Sequence, residues 1–189
     1  MKTSKGIRLW NEAQTFIPGG NSLLSKNKNI FSPEVWPCYY KKVKDSYVWD
    51  LDGNKYIDFS SNGVGACSLG HSSWAVDKSI HNAIKKGVMS TLNTPLEVYL
   101  AKKLVEIDNN LNMVKFARTG GEANAIAIRI ARTFSKKSKI AICGYHGWHD
   151  WYVSTNLKSD NALNDHLLRG IGSKGVPIEL KGTTIPFKY

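Results

Sequence analysis

The chain has 189 residues, enough for one good core or for a smaller segment plus part of a larger domain. Hydrophobic residues make up 42% and charged residues 22%, the balance of an ordinary globular protein rather than a fibrous or disordered one. The formal charge of +11 raises nucleic acid as a partner, but the lysines fall in short scattered groups, Lys41, Lys42 and Lys44, then Lys85 and Lys86, Lys102 and Lys103, and Lys136, Lys137 and Lys139; these read as solvated faces that help attract anionic ligands.

No stretch approaches the roughly 20 apolar residues that cross a bilayer, and residues 1–20 lack the apolar run of a signal peptide. The expectation is a cytoplasmic protein with neither membrane nor nucleic acid as partner. Cys38, Cys67 and Cys143 are far apart and form no C-x-x-C pair, so they are expected to be buried apolar thiols rather than a disulfide framework or zinc ribbon.

Ile7, Trp10, Ala13 and Ile17 share a helical spacing over residues 4–17, and Pro18-Gly19-Gly20 ends that helix. Aromatic and β-branched runs at residues 39–43, 47–49 and 56–59, separated by turn signals at Asp45-Ser46 and Asp52-Gly53, predict a three-stranded antiparallel meander. A Gly-rich loop covers residues 62–70. Val76, Ile80, Ala83 and Ile84 then mark a helix capped by Ser72 or Ser73, with Gly87 just past its end.

Thr94-Pro95-Leu96-Glu97 joins a capping box to a proline at the first helical position, and Leu96, Leu100, Leu104, Ile107 and Leu111 line one face of the helix that follows. Residues 113–117 read as an apolar strand, residues 121–134 as a helix and residues 140–143 as a second strand. That βαβ unit predicts an α/β domain from about His71 onward. Residues 151–177 have weak periodicity and read as a functional or mobile loop, and residues 183–189 as a strand.

Two turns carry candidate chemistry. Arg118-Thr119-Gly120-Gly121-Glu122-Ala123-Asn124 sets two glycines at a helix N-terminus, beyond the carboxyl end of a strand. Bare backbone N–H groups there can hold an anion such as a phosphate; equally, Thr119 and Glu122 can form a capping box that satisfies the helix without a ligand. Neither G-x-x-x-x-G-K-[ST] nor G-x-G-x-x-G occurs at this strand, which counts against a nucleotide. Gly144-Tyr145-His146-Gly147-Trp148-His149-Asp150 follows the next strand, where an aromatic could lie over a flat ring whose phosphate sits at Gly120 and Gly121. His146, His149 and Asp150 are also the basis for a metal-dependent hydrolase reading, though His71, His81 and His166 have no spacing that supplies a third ligand.

With these motifs the chain resembles the class III aminotransferases, most of all the glutamate-1-semialdehyde aminomutase branch. The resemblance is carried by Thr119-Gly120-Gly121-Glu122-Ala123, Ala127-Ile128-Arg129-Ile130-Ala131-Arg132 and Gly144-Tyr145-His146-Gly147, and supported by Phe16-Ile17-Pro18-Gly19-Gly20, residues 49–59 and Leu69-Gly70-His71. It implies an α/β fold, the N-terminal part of a pyridoxal-phosphate (PLP) dependent transferase of fold type I with an antiparallel N-terminal segment. Residues 1–70 would belong to the small domain, and residues 71–189 would begin the large cofactor-binding domain.

The resemblance further implies PLP as cofactor, with Thr119, Gly120 and Gly121 at its phosphate, Tyr145 stacked on its ring and His146 beside it. Gly121 stands where the family has threonine or serine. The lysine that holds PLP covalently and the aspartate at the pyridine nitrogen fall beyond Tyr189 in the family pattern, so an N-terminal fragment inactive alone is expected. Its partners would be a small amino donor and a carbonyl acceptor, in a homodimer or with a complementing C-terminal polypeptide. The alternative is a non-catalytic module that binds PLP or pairs with a full-length homologue. Ser25 replaces the carboxylate-binding arginine of the aminomutase branch, and a family tryptophan is replaced near Val64, which separates the substrate from glutamate semialdehyde.

Overall fold

The structure is a computed structural model that describes residues 4–60, 65–159, 162–164, 166 and 171–189. Val64 and the start of the Gly-rich loop lie outside the described residues. The chain forms two compact units, Met1–Asn93 and Thr94–Tyr189.

In the first unit, helix α1 (Ser4–Phe16) buries Trp10. The chain leaves it through Pro18–Gly20, where Gly20 has φ +77° and presses on the Trp10 ring, so that a methyl group there would sit 3.1 Å from Trp10 Cζ2. Only glycine meets both demands at that point. Strands β1 (Tyr40–Lys44), β2 (Tyr47–Asp50) and β3 (Lys55–Ile57) form the expected antiparallel meander in the order β1-β2-β3.

The β2–β3 turn is built around Asp50, which is 3% exposed. Its carboxylate accepts from the Asp52 and Asn54 amides, Asn54 Nδ2 and the Tyr56 hydroxyl at 2.8–3.0 Å. Burial pushes this carboxyl up, but the bonds from Asn54, Tyr56 and Asp52 outweigh it and hold it below the usual carboxylate range. Asp52 in the same turn accepts from the Lys5 amide at 3.0 Å, placing a negative charge at the head of α1 where the helix dipole favours it. Lys42, read as solvated and indeed exposed, also covers an aromatic face, with Nζ 4.4 Å over Trp49, and Lys55 Nζ lies 3.6 Å over Tyr47. Helix α2 (Trp74–Lys85) follows with Ser73 as N-cap residue.

In the second unit, helix α3 (Pro95–Ile107) opens with Thr94 Oγ1 accepting from the Leu96 amide. Helix α4 (Gly120–Ser135) and strand β4 (Ile140–Ile142) fall where predicted, and β4 pairs in parallel with β5 (Thr184–Pro186). The expected strand at residues 113–117 joins no ladder among the described residues, so the predicted βαβ unit lacks its first strand. An apolar run becomes a strand only when a neighbour takes up its N–H and C=O groups; here Met113 is 89% exposed.

The largest departure concerns the expected loop at residues 151–177. Helix α5 (Asp150–Val153) and the turn Ser154–Leu157 supply much of the unit's core: Tyr152 and Ser154 are fully buried, and Val153, Thr155, Asn156 and Leu163 nearly so. Ile142, Tyr152, Val153 and Leu163 form one cluster, with Ile140, Tyr145, Trp151, Ile171 and Val176 packed around it. By contrast α3 and α4 bury no residue. Leu100 of α3 is 51% exposed and Phe134 of α4 91%, so these apolar helix faces lack cover among the described residues. The three cysteines are free and partly exposed rather than buried, and burial raises the Cys38 thiol despite its own backbone and Lys28 drawing it down.

Candidate functional site

Helix α4 begins at Gly120 because Thr119 keeps an extended backbone, at φ −134°, while its hydroxyl accepts from the Glu122 amide at 3.2 Å. Glu122 turns back, and its carboxylate accepts from the Arg118 amide at 2.8 Å. The side-chain cap foreseen as the alternative to a ligand is therefore present, yet it consumes only the Glu122 amide of the first turn. The amides of Gly120 and Gly121 meet no acceptor among the described residues. Capping and anion binding are thus compatible, and the partial positive charge of a 16-residue helix gathers at two bare N–H groups.

The second turn lies against the first. Asn124 Nδ2 reaches the His146 carbonyl at 3.5 Å, and a methyl group on Gly147 would come within 3.9 Å of Gly121 Cα. Gly144, at φ +88°, is fixed from both sides: its amide donates to His166 Nδ1 at 3.0 Å, and its carbonyl accepts from the Tyr152 hydroxyl at 3.2 Å. Burial raises the Tyr152 phenol, the His146 backbone works against this and Tyr145 adds to it, so the hydroxyl remains a neutral donor near pH 7.

Of the predicted site residues, Thr119, Gly120 and Gly121 come together at the head of α4. Tyr145 is half-buried, packs on the core cluster and meets Tyr152 edge-on with centroids 5.9 Å apart. His146 turns its Nε2 to the Cys143 carbonyl at 2.9 Å and its ring neighbours those of Trp151 and Tyr152. His149 is the member of that turn that meets the glycines: its imidazole fills the space where a side chain of Gly121 would begin, with Cδ2 2.7 Å from that point. The clue in the sequence is the bare Gly121 itself, since a missing side chain asks what stands in its place. Among the described residues no three His, Cys, Asp or Glu side chains converge as a metal site would require. No described helix is long and apolar enough to cross a membrane.

Two glycines with unpartnered amides at the head of a helix, beside an aromatic turn in a unit that pairs parallel strands, form a place where an anion can bind. The comparisons agree: a family model for class III aminotransferases matches residues 30–169, and the chain belongs to that PLP-dependent family. A 3-aminobutyryl-CoA aminotransferase of Cloacimonas acidaminovorans is 38% identical over 154 residues, 81% of this chain and 37% of that protein. A glutamate-1-semialdehyde 2,1-aminomutase of Syntrophobacter fumaroxidans is 35% identical over 100% of this chain and 42% of its own length. Among solved structures, a transaminase with PLP bound superposes with a TM-score of 0.80 at 26% identity, over 100% of this chain and 42% of that one. The chain therefore spans about two fifths of the relatives it matches.

Proposed function

We propose that the chain is the N-terminal portion of a cytoplasmic PLP-dependent aminotransferase or aminomutase, which moves an amino group between an amino acid and a small carbonyl compound. The observation that carries the reading is the pair of unpartnered amides at Gly120 and Gly121 in a chain that matches the family across that turn. These amides fit the cofactor's phosphate: a methyl group on Gly120 would meet nothing within 4 Å, so the approach is open. In this reading Thr119 closes the Glu122 amide and leaves the two glycines to the phosphate, Tyr145 faces the ring, and His146 lies beside it. Tyr152 and His166 hold the Gly144 turn that carries both. When bound, PLP supplies an electron sink for the carbon next to the amino group.

No lysine here occupies the covalent motif implied by the family resemblance. We therefore assign the proton transfer to a segment outside this chain, with the chain inactive by itself and the whole enzyme a homodimer. Borohydride reduction after incubation with PLP should then give no specific pyridoxyl-lysine, and finding one would overturn the inactivity.

The phosphate reading has a sharper test in Gly120→Pro. Proline suits the first position of a helix and Thr119 already has the extended backbone it requires, so the substitution deletes one amide and spares the fold. Loss of that bond to a charged group should weaken PLP about tenfold, read by the phosphorus resonance of the cofactor. A wild-type chain that leaves the resonance unmoved would remove the cofactor reading.

A further inference from the structure

We propose that His149 is a phosphate-binding residue of this chain, supplying from the second turn the side-chain donor that Gly121 lacks. The inference rests on the cofactor reading above and names a residue which that reading did not use. Three observations converge on it.

The first is position. A side chain at the second residue of a helix is directed back over the helix N-terminus. A Cβ built on Gly121 would collide with His149, at Nε2 and with Cδ2 2.7 Å away, so the imidazole occupies that direction and reaches the head of α4. Any side chain at residue 121 would expel it, which gives the glycine a reason beyond backbone freedom. The second is availability. His146 Nε2 is engaged by the Cys143 carbonyl, whereas the ring nitrogens of His149 have no hydrogen-bond partner among the described residues. A half-buried imidazole without a partner thus lies beside two amides without partners, and a phosphate is a ligand that can accept from all three.

The third is that the ring is held there. Trp148 stacks on it with centroids 5.4 Å apart and planes 15° apart, and Gly147, at φ +109°, lets the chain turn so that the imidazole returns to α4. The His149 carbonyl accepts from the Tyr152 and Val153 amides, which fixes its backbone to the buried α5.

The test titrates the 189-residue chain and its variants with PLP and with pyridoxal, which has the same ring and no phosphate, following both binding and the phosphorus resonance of PLP. His149→Ala should weaken PLP about tenfold and leave pyridoxal unchanged, because only a phosphate contact is lost. His149→Gln, which keeps a donor at similar reach, should recover part of the affinity, and so should Gly121→Ser placed in the His149→Ala background. Equal losses for PLP and pyridoxal would mean that His149 only shapes the turn and would overturn the assignment. Unchanged PLP binding in His149→Ala would overturn it as well while leaving the cofactor reading intact. If the wild-type chain bound no PLP, both would fall together.

Discussion

Helix α4 and the short segment from Asp150 to Leu163 lie in the same unit and contradict each other's appearance. The helix is long, strongly periodic and capped at its start, yet it buries no residue. The segment has weak periodicity and many polar residues, yet Tyr152, Val153 and Leu163 within it are the centre of the core. The difference teaches that periodicity reports which face of an element wants cover, not whether cover is present. Burial is decided by neighbours, and polar residues enter a core when each of their groups finds a partner.

The largest expected effect would break this contrast outright. Tyr152→Ala removes a fully buried ring and the bond to the Gly144 carbonyl, and should cost about 3–5 kcal/mol in denaturant unfolding. A loss below about 1 kcal/mol would mean that the segment is not the core of its unit.

Next in size is the polar counterpart in the other unit. Asp50→Ala leaves four donors of the β2–β3 turn without an acceptor and should cost about 3 kcal/mol, read by the same unfolding. The carboxyl is depressed in the folded state, so its contribution is complete above the ordinary value of about 3.9 and is lost as pH falls below that and through the folded value. The stability of the meander should be flat down to about pH 5 and decline below about 4. Asp58 is also held low, chiefly by the Ser60 hydroxyl, so Asp50→Asn should remove part of the acid slope and not all of it. An unchanged slope would show that the turn does not sense this carboxylate.

Asn156 tests how a polar side chain becomes core. Its Nδ2 donates to the Ile171 carbonyl at 2.7 Å and its Oδ1 accepts from the Leu163 amide at 3.1 Å, so one side chain ties the segment to itself and to the chain at Ile171. Asn156→Ala should cost about 2 kcal/mol. A neutral result would assign the burial to apolar packing alone.

What the sequence revealed follows the same division. The meander was legible because alternation, the Asp-Ser and Asp-Gly turns and the strands that pair all lie within residues 39–59. Helices α1 to α4 were legible from apolar spacing and from Thr94 and Thr119, which do cap them. Residues 113–117 were misread because composition reveals a wish to be a strand, while a ladder needs a neighbour distant in sequence. The described part of residues 151–177 was misread as a loop because its burial depends on long-range bonds such as Asn156 to Ile171, which no local pattern records. At the candidate site the phosphate turn was readable as a motif, whereas the placement of His149 against Gly121 required the two turns to be brought together.

Thr119→Ala should cost about 1 kcal/mol, the loss of one helix cap, measured by helicity and unfolding. It also releases the Glu122 amide, so PLP affinity should fall far less than in Gly120→Pro; equal falls would place the hydroxyl itself on the ligand.

The smallest effect completes the comparison. Phe134, at the end of α4, is 91% exposed, so Phe134→Ala should shift the stability of the dilute chain by no more than about 0.5 kcal/mol, although phenylalanine in a core costs several times that. Because the same ring belongs to an uncovered apolar face, Phe134→Glu should reduce association at high concentration, read by light scattering. A stability loss for Phe134→Ala that grows with protein concentration would show the face already covered by a second copy, and α4 would then resemble the buried segment in all but the origin of its cover.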